Sequence, residues 1–403
     1  MWRRVQDHLS GIMAQCNPDR SLAIDVFRGI TITGMILVNN PGSWDHVYAP
    51  LLHAKWHGWT PTDLIFPFFI FIVGLSAAFA AASQNKIQGT TAPNRTAQLK
   101  TAAIRSAKLF GLGLFLAIFY YDFQASNYSW FTERIENIRI LGVLQRIALV
   151  FFCMTLLRLY ASRTVEYAAC VFLLALYTFC MAFTPYPLPT GGTGVGGWAF
   201  GENFTAYIDA LILGSAHSYY ANATPFPFDP EGIFSTLPAI VTGMLGLFTG
   251  RFLLAEKNAI ARLKRLIPAG ILLTLLGLVL DPVIPINKAL WTPSYVLLTA
   301  GLAVLSLAFC IYLLDIRKTQ RWSAPFIVFG ANAIAFYMFS AVAARILTMI
   351  PVGETSLHAL LYSKVFMPLF GPLNGSLAFA LAFLALSYGA MYAMYKRKIF
   401  WKV

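Results

Sequence analysis

The chain is poor in charge. Asp, Glu, Lys and Arg make up 12% of its 403 residues, while 58% are hydrophobic; a soluble domain carries about twice that share of charge. Acidic residues are the scarcer kind, 17 against 30 basic. No hydrophilic stretch is long enough to fold alone and no internal repeat is visible, so one polytopic domain is expected. Of the five cysteines, Cys16 lies near the N-terminus, and Cys153, Cys170, Cys180 and Cys310 lie in or beside apolar runs. Neither a disulfide framework nor a zinc motif is expected from that placement. The first 20 residues are polar and basic with no apolar core, so no cleavable signal peptide is expected.

What the chain has instead is apolar blocks. A hydrocarbon layer about 30 Å thick takes roughly 20 apolar residues per helix. Ten blocks fit: 23–40, 62–83, 103–121, 140–158, 165–184, 233–250, 266–281, 293–314, 325–347 and 374–395. An eleventh stretch, 356–372, is interrupted by Pro368 and Pro372 and reads as a re-entrant or interfacial piece. The expected fold is an all-α polytopic membrane protein of about ten transmembrane helices in a single domain, 1–403.

Lys and Arg set the expected orientation. With the N-terminus inside, 22 of the 30 basic residues fall on the cytoplasmic side. They run from Arg3, Arg4 and Arg20 through Lys86, Arg95 and Arg158 to Arg251, Lys257, Arg317 and Lys402. The longest outer connection, 185–232, has no Lys or Arg. Both termini are therefore expected in the cytoplasm. The net charge of +13 is mostly this orientation signal. The positives are spread over many loops rather than gathered in one patch, so nucleic acid is not an expected partner.

Ionisable groups inside spans are costly and usually face a cavity or each other. The notable ones are Asp25 and Arg28 in "LAIDVFRG", Asp63 in "TPTDLIFPFF", and Gln145 and Arg146 in "LGVLQRIA". Asp25 and Arg28, three apart on a helix, can pair directly. Arg146 is too deep to reach the surface easily and calls for an anionic partner from the protein or from a ligand. "FDPEGIFSTLPAI" holds Asp229 and Glu231; Asp229 can be read as the cap of a helix beginning at Pro230. "INKALWTPSYVLLTAG" adds Asn287, Lys288 and Trp291, and Asn332 lies inside the ninth block. Six tryptophans fall on the outer side (Trp44, Trp56, Trp59, Trp130, Trp198 and Trp291), as belt residues or as stacking surfaces for a sugar ring.

The connection "NNPGSWDHVYAPLLHAKWHGWTPTDLIFPFF", 39–69, is the densest in chemistry. His46, His53 and His57 lie in it. His53 and His57 are four apart, which on a helix would put them on one face, but no HExxH and no cysteine accompany them, so no metal is expected. Acid–base or nucleophilic catalysis by a histidine is the sharper option, and a surface histidine the plainer one.

This block, with "SLAIDVFRG" before it and "LGVLQRIA", "DPEG…STLPAI", "NKALWTPSYVLLTAG" and "GANAIAFY" after it, resembles the heparan-α-glucosaminide N-acetyltransferase family in a shorter bacterial form, over roughly 21–395. Longer eukaryotic members carry a lumenal N-terminal region with no counterpart here. The family moves acetyl from cytosolic acetyl-CoA to a glucosamine amine across the membrane. The resemblance implies that His53, in "HAKWHG", is the catalytic histidine and that Asn39 is the catalytic asparagine. It also implies a cavity opening to both sides. His57 stands where longer members have asparagine.

On this basis Arg28, Asp25, Gln145 and Arg146 are the expected acetyl-CoA-binding residues. Asp45, Trp56, His57, Asp63, Glu231, Asn287, Lys288 and Trp291 are the expected sugar-binding residues. His53 would act as general base or as acetyl carrier, two routes the sequence leaves open. The expected setting is a bacterial inner membrane, with a glucosamine-containing acceptor and a homodimer implied by the family. The alternatives are an O-acetyltransferase of envelope glycans and a non-enzymatic amino-sugar transporter.

Overall fold

A backbone inside hydrocarbon must satisfy its own hydrogen bonds, so a chain this apolar folds as helices. The computed structural model describes residues 9, 11–13, 21–88 and 94–401, without the side chains of 85–88. Trp2, Arg3, Arg4, Cys16, Arg20, Lys402 and the Lys86 side chain lie outside the described residues.

The helices run in the order α1 (Leu22–Asn39), α2 (Ile65–Gln88), α3 (Arg95–Ile118), α4 (Val143–Tyr160), α5 (Arg163–Phe183), the short α6 (Phe204–Ile212), α7 (Thr236–Ala255), α8 (Ala259–Leu280), α9 (Pro293–Ile311), α10 (Ala324–Ala331), α11 (Ala333–Met349) and α12 (Pro372–Lys396). Among the described residues, nine helices are long and apolar enough to cross a membrane, and α10 with α11 makes a tenth, broken span. All ten apolar blocks of the sequence thus become helices, and the chain is an all-α multi-pass membrane protein. Two helices start well before their apolar blocks, because they continue into charged turns until a side chain caps them. Asn94 accepts from Ala97 N (3.0 Å) at the start of α3, and Asn258 accepts from Ile260 N (2.9 Å) and Ala261 N (3.0 Å) at the start of α8.

The ninth block is the one whose shape the sequence hides. It bends by 76° between α10 and α11, and Asn332 sits at the break. Its amide donates to Ile399 O and its carbonyl accepts from Trp401 N, both at 2.9 Å. The asparagine therefore serves the C-terminal backbone at the point where the helix ladder is interrupted. The 356–372 stretch forms a short apolar helical piece, Leu357–Phe370.

α7 and α9 lie at the centre, with 61% of their apolar windows buried, whereas α8 has only 17% and turns Leu272 and Val279 outward. The seam of α2 and α7 relies on close backbone approach, as membrane helices often do. A Cβ on Gly246 would run into the carbonyl of Phe71, and one on Gly74 into that of Gly243. The obstacle is backbone, so it cannot rotate away. Gly246→Leu is expected to destabilise the protein by at least the ~1–3 kcal/mol typical of overpacking, read as a lower melting temperature in detergent, while Gly111→Leu, with open space around it, leaves the melting temperature unchanged.

The connections sort onto two faces. Residues 39–61, 122–139, 185–232, 282–292 and 348–373 touch one another on one face, through Gly58 N to Ile286 O (2.8 Å), Trp56 Nε1 to Trp198 O (2.7 Å) and Tyr362 Oη to His46 Nδ1 (3.2 Å), among others. Arg158 with Gln98 (2.9 Å) and Arg251 with Glu166 tie connections on the other.

Candidate active site

The loop leaving α1 is held in two halves. Its first half leans on α12: Gly42 N donates to Ser376 O and Ser43 N to Ser376 Oγ, both at 3.1 Å, and Tyr48 Oη donates to Asn374 Oδ1 at 2.5 Å. A small cleft opens here, walled by Leu37, Val38, His46, Tyr48 and Leu377. Its walls do not include His53. Asn39, the last residue of α1, is exposed, as is Asp45.

The second half carries His53, and Asp63 organises it. Asp63 is 1% exposed and closes a capping box with Thr60 at the entry to α2. Its Oδ2 accepts from Ala54 N and Thr60 N, both at 3.0 Å, and its Oδ1 lies 2.6 Å from His53 Nδ1. Tyr295 Oη donates to the Asp63 carbonyl at 2.5 Å. A carboxylate accepting at Oδ1 assigns the ring proton to Nδ1 and leaves the lone pair on Nε2. Lys288 Nζ lies 3.1 Å from each ring nitrogen and 3.8 Å from Asp63 Oδ1. Half of the His53 side chain (49%) is exposed, so a buried acid holds an accessible base.

The loop 282–292 locks this arrangement. Asn287, fully buried, donates to Trp56 O (2.9 Å) and accepts from Leu290 N (2.9 Å). Its amide nitrogen is 3.5 Å from His57 Nδ1. Residues 53–60 are irregular, with a bend at 55–58, rather than helix, so His53 and His57 do not share a helical face. Burial lowers the His57 pKa, opposed by Asp281. The three histidines have three different partners: Tyr362 for His46, Asp63 for His53 and Asn287 for His57.

Trp291 has a left-handed backbone (φ 52°) and no exposed surface. A bulky residue holds that conformation only under packing, and here it is packed on every side. Phe66 and Tyr295 meet it edge-on, with ring centroids 5.1 and 5.4 Å away, Nε1 donates to Thr242 Oγ1 (3.1 Å), and the Arg146 guanidinium lies 5.1 Å above the ring. No face of Trp291 is open to a sugar. Arg146 is equally buried and donates to Gly232 O (3.1 Å) and Ser235 Oγ. In place of the direct anionic partner expected for it, Nη2 has a carbonyl and a hydroxyl and the guanidinium an indole face, while Nε and Nη1 have no hydrogen-bond partner.

Arg139 holds the 229–235 segment. Its Nε and Nη2 take the two oxygens of Asp229, each at 2.7 Å, and Nη2 also meets Glu231. Those carboxylates hold the Arg139 pKa above its ordinary value despite burial. The capping role read for Asp229 does not occur: α7 starts at Thr236, behind Ser235. Asp209 underpins the same segment, accepting from Asp229 N (3.2 Å) and Ile233 N (2.9 Å). Burial pushes its carboxyl up to about 7.

The four residues expected to bind acetyl-CoA do not gather. Arg28 bonds Asp25 (3.3 Å), as the spacing predicts, and also Ser76 (3.0 Å) on α2 and Gly330 O (3.4 Å) on α10. Gln145 packs its amide against Gly113 of α3, and Arg146 faces the 229–235 segment. Of the expected sugar-binding set, Glu231, Asn287 and Trp291 are buried, while Asp45, His57 and parts of Trp56 and Lys288 are accessible.

A family model described as the catalytic region of heparan-alpha-glucosaminide N-acetyltransferase matches residues 20–280, nearly two thirds of the chain. The chain belongs to this family. The human heparan-alpha-glucosaminide N-acetyltransferase is 29% identical over 432 residues, covering 96% of this chain and 60% of the human one. The mouse protein of the same name is 27% identical over 428 residues, covering 96% and 61%. The chain thus spans about three fifths of the length of these curated relatives. The match takes in His53 and Asp63, whose contact nothing in the sequence announces; a ten-residue gap across a bent loop has no periodicity to read.

Asp229→Ala would take the bidentate partner from Arg139, which is 30% exposed and keeps Glu231. A loss of about 1–3 kcal/mol of stability is expected, measured as a drop in melting temperature, with Asp229→Asn, which keeps the acceptor oxygen, losing less.

Proposed function

We propose that this protein is a transmembrane acetyltransferase, taking acetyl from acetyl-CoA on the arginine-rich face and delivering it to the amino group of a glucosamine-type sugar on the histidine face. The observation that carries this is the 2.6 Å contact of His53 Nδ1 with buried Asp63, which leaves Nε2 as an accessible base. Family membership supports the acyl transfer, and the activity for which the human and mouse relatives are named supports the amino sugar.

The sugar amine must lose a proton to attack a carbonyl carbon. His53 Nε2 takes that proton, and Asp63 stabilises the imidazolium that results. Asn39, exposed at the end of α1, is the amide donor for the oxygen on which negative charge develops. His57 and Asp45 line the acceptor side. Acetyl-CoA supplies an activated thioester. Unused donors suit its phosphates at the other face: among the described residues Arg105 Nε, Arg158 Nε and Gln98 Nε2 have no acceptor. Arg28 belongs to the same end. A passage joining this end to His53, with one transmembrane domain over 1–403 and a core at 21–395, is part of the proposal. So are a bacterial inner membrane and cytoplasmic termini, which the skew of basic residues supports.

The test is purified protein with radiolabelled acetyl-CoA and glucosamine. N-acetylglucosamine, stable to alkali, is the expected product. His53→Ala and Asp63→Asn are expected to lower kcat by about 10²–10⁴, the second because an amide NH₂ facing Nδ1 moves the ring proton to Nε2. An alkali-labile ester would favour the O-acetyltransferase alternative. Binding of sugar without any acetyl transfer would favour the transporter.

A further inference from the structure

Lys288 brings a primary amine to the base that the proposed chemistry uses. Its Nζ is 3.1 Å from both nitrogens of His53. Equidistant from both nitrogens, Nζ lies over the ring face rather than on the Nε2 lone-pair line, and with the Nδ1 proton committed to Asp63, Nε2 is the nitrogen able to take a proton from it. The position is built rather than incidental, because the flanking Asn287 and Trp291 are fully buried and fixed through Trp56 O and Thr242. The Lys288 side chain is 23% exposed, so an electrophile that reaches His53 also reaches Nζ. Burial lowers the Lys288 pKa, while Asp63 and Glu231 act the other way. Proton transfer from Nζ to Nε2 would yield a neutral amine and an imidazolium beside Asp63, the same pair of species that the sugar amine and His53 form.

We propose that Lys288 is an internal acetyl acceptor: when the acetyl donor is bound and no amino sugar is present, Nζ is acylated. This rests on the acetyltransferase function proposed above. The neutral Nζ attacks the thioester carbonyl carbon, the C–S bond breaks, and an amide forms. Nζ sheds two protons on the way from ammonium to amide: His53 Nε2 takes the first and gives it to the departing thiolate, leaving free CoA thiol, and then takes the second, which it releases to solvent. The acetylated side chain carries no charge opposite Asp63 and occupies the place of a sugar amine, so the modified protein is switched off until it is replaced or deacylated.

The test uses the full chain in detergent with acetyl-CoA, with and without glucosamine, followed by peptide mass spectrometry of lysine acetylation. Lys288 is expected to be acetylated about a hundredfold faster than the exposed Lys257 and Lys364, the lower end of what a positioned base supplies. Excess glucosamine is expected to suppress the modification, and His53→Ala to abolish it. If glucosamine is acetylated while Lys288 reacts no faster than Lys257 and Lys364, the inference is overturned and the acetyltransferase function stands. Persistence of the rapid Lys288 reaction in His53→Ala also overturns it, because the base is then not His53. If neither Lys288 nor glucosamine is acetylated, both fall together.

Discussion

The Asp63 carboxylate accepts at both oxygens, from the His53 ring at 2.6 Å and from the amides of Ala54 and Thr60 at 3.0 Å, at a point with almost no exposure to solvent. A buried carboxylate is tolerated only when its oxygens are filled, and these donors fill them with one residue from each part of the loop. One interaction thereby fixes the loop's path, starts α2 and orients the histidine. The Tyr295 bond to the Asp63 carbonyl ties the same point to α9, so the accessible base is held by the centre of the bundle rather than by a free loop.

A second network supports the first from behind. Arg139 holds Asp229 and Glu231, Asp209 holds the amides of Asp229 and Ile233, and Arg146 reaches from α4 to Gly232 and Ser235 while lying on Trp291. Trp291 in turn ends the loop that carries Lys288. Charges at this depth are expensive alone and acceptable in pairs. Their value here is positional: they join the 185–232 connection, α4, α7 and α9 around the loop that carries His53.

The membrane architecture was legible because hydrophobic length is a local property; each of the ten apolar blocks is a helix, and the charged turns that lengthen α3 and α8 end at readable Asn caps. The break at Asn332 was not, since an apolar run looks the same straight or bent, and the partner that occupies Asn332 lies 67 residues on, at Ile399. At the candidate site, spacing gave the Asp25–Arg28 pair correctly. Longer-range partners were out of reach: Arg139 finds Asp229 across 90 residues, and that pairing replaces the helix cap read from "FDPEG". Trp291 looked like a sugar platform because outer tryptophans often are, and only the fold reveals that Arg146, Phe66 and Tyr295 close it off.

In the proposed reaction acetyl crosses from one face of this bundle to the other. Reconstituted vesicles with acetyl-CoA enclosed on one side and glucosamine confined to the other measure this directly. N-acetylglucosamine formed on the side that never held acetyl-CoA, in vesicles shown to be sealed, is the predicted result. Product formed only when donor and acceptor share a compartment would contradict it.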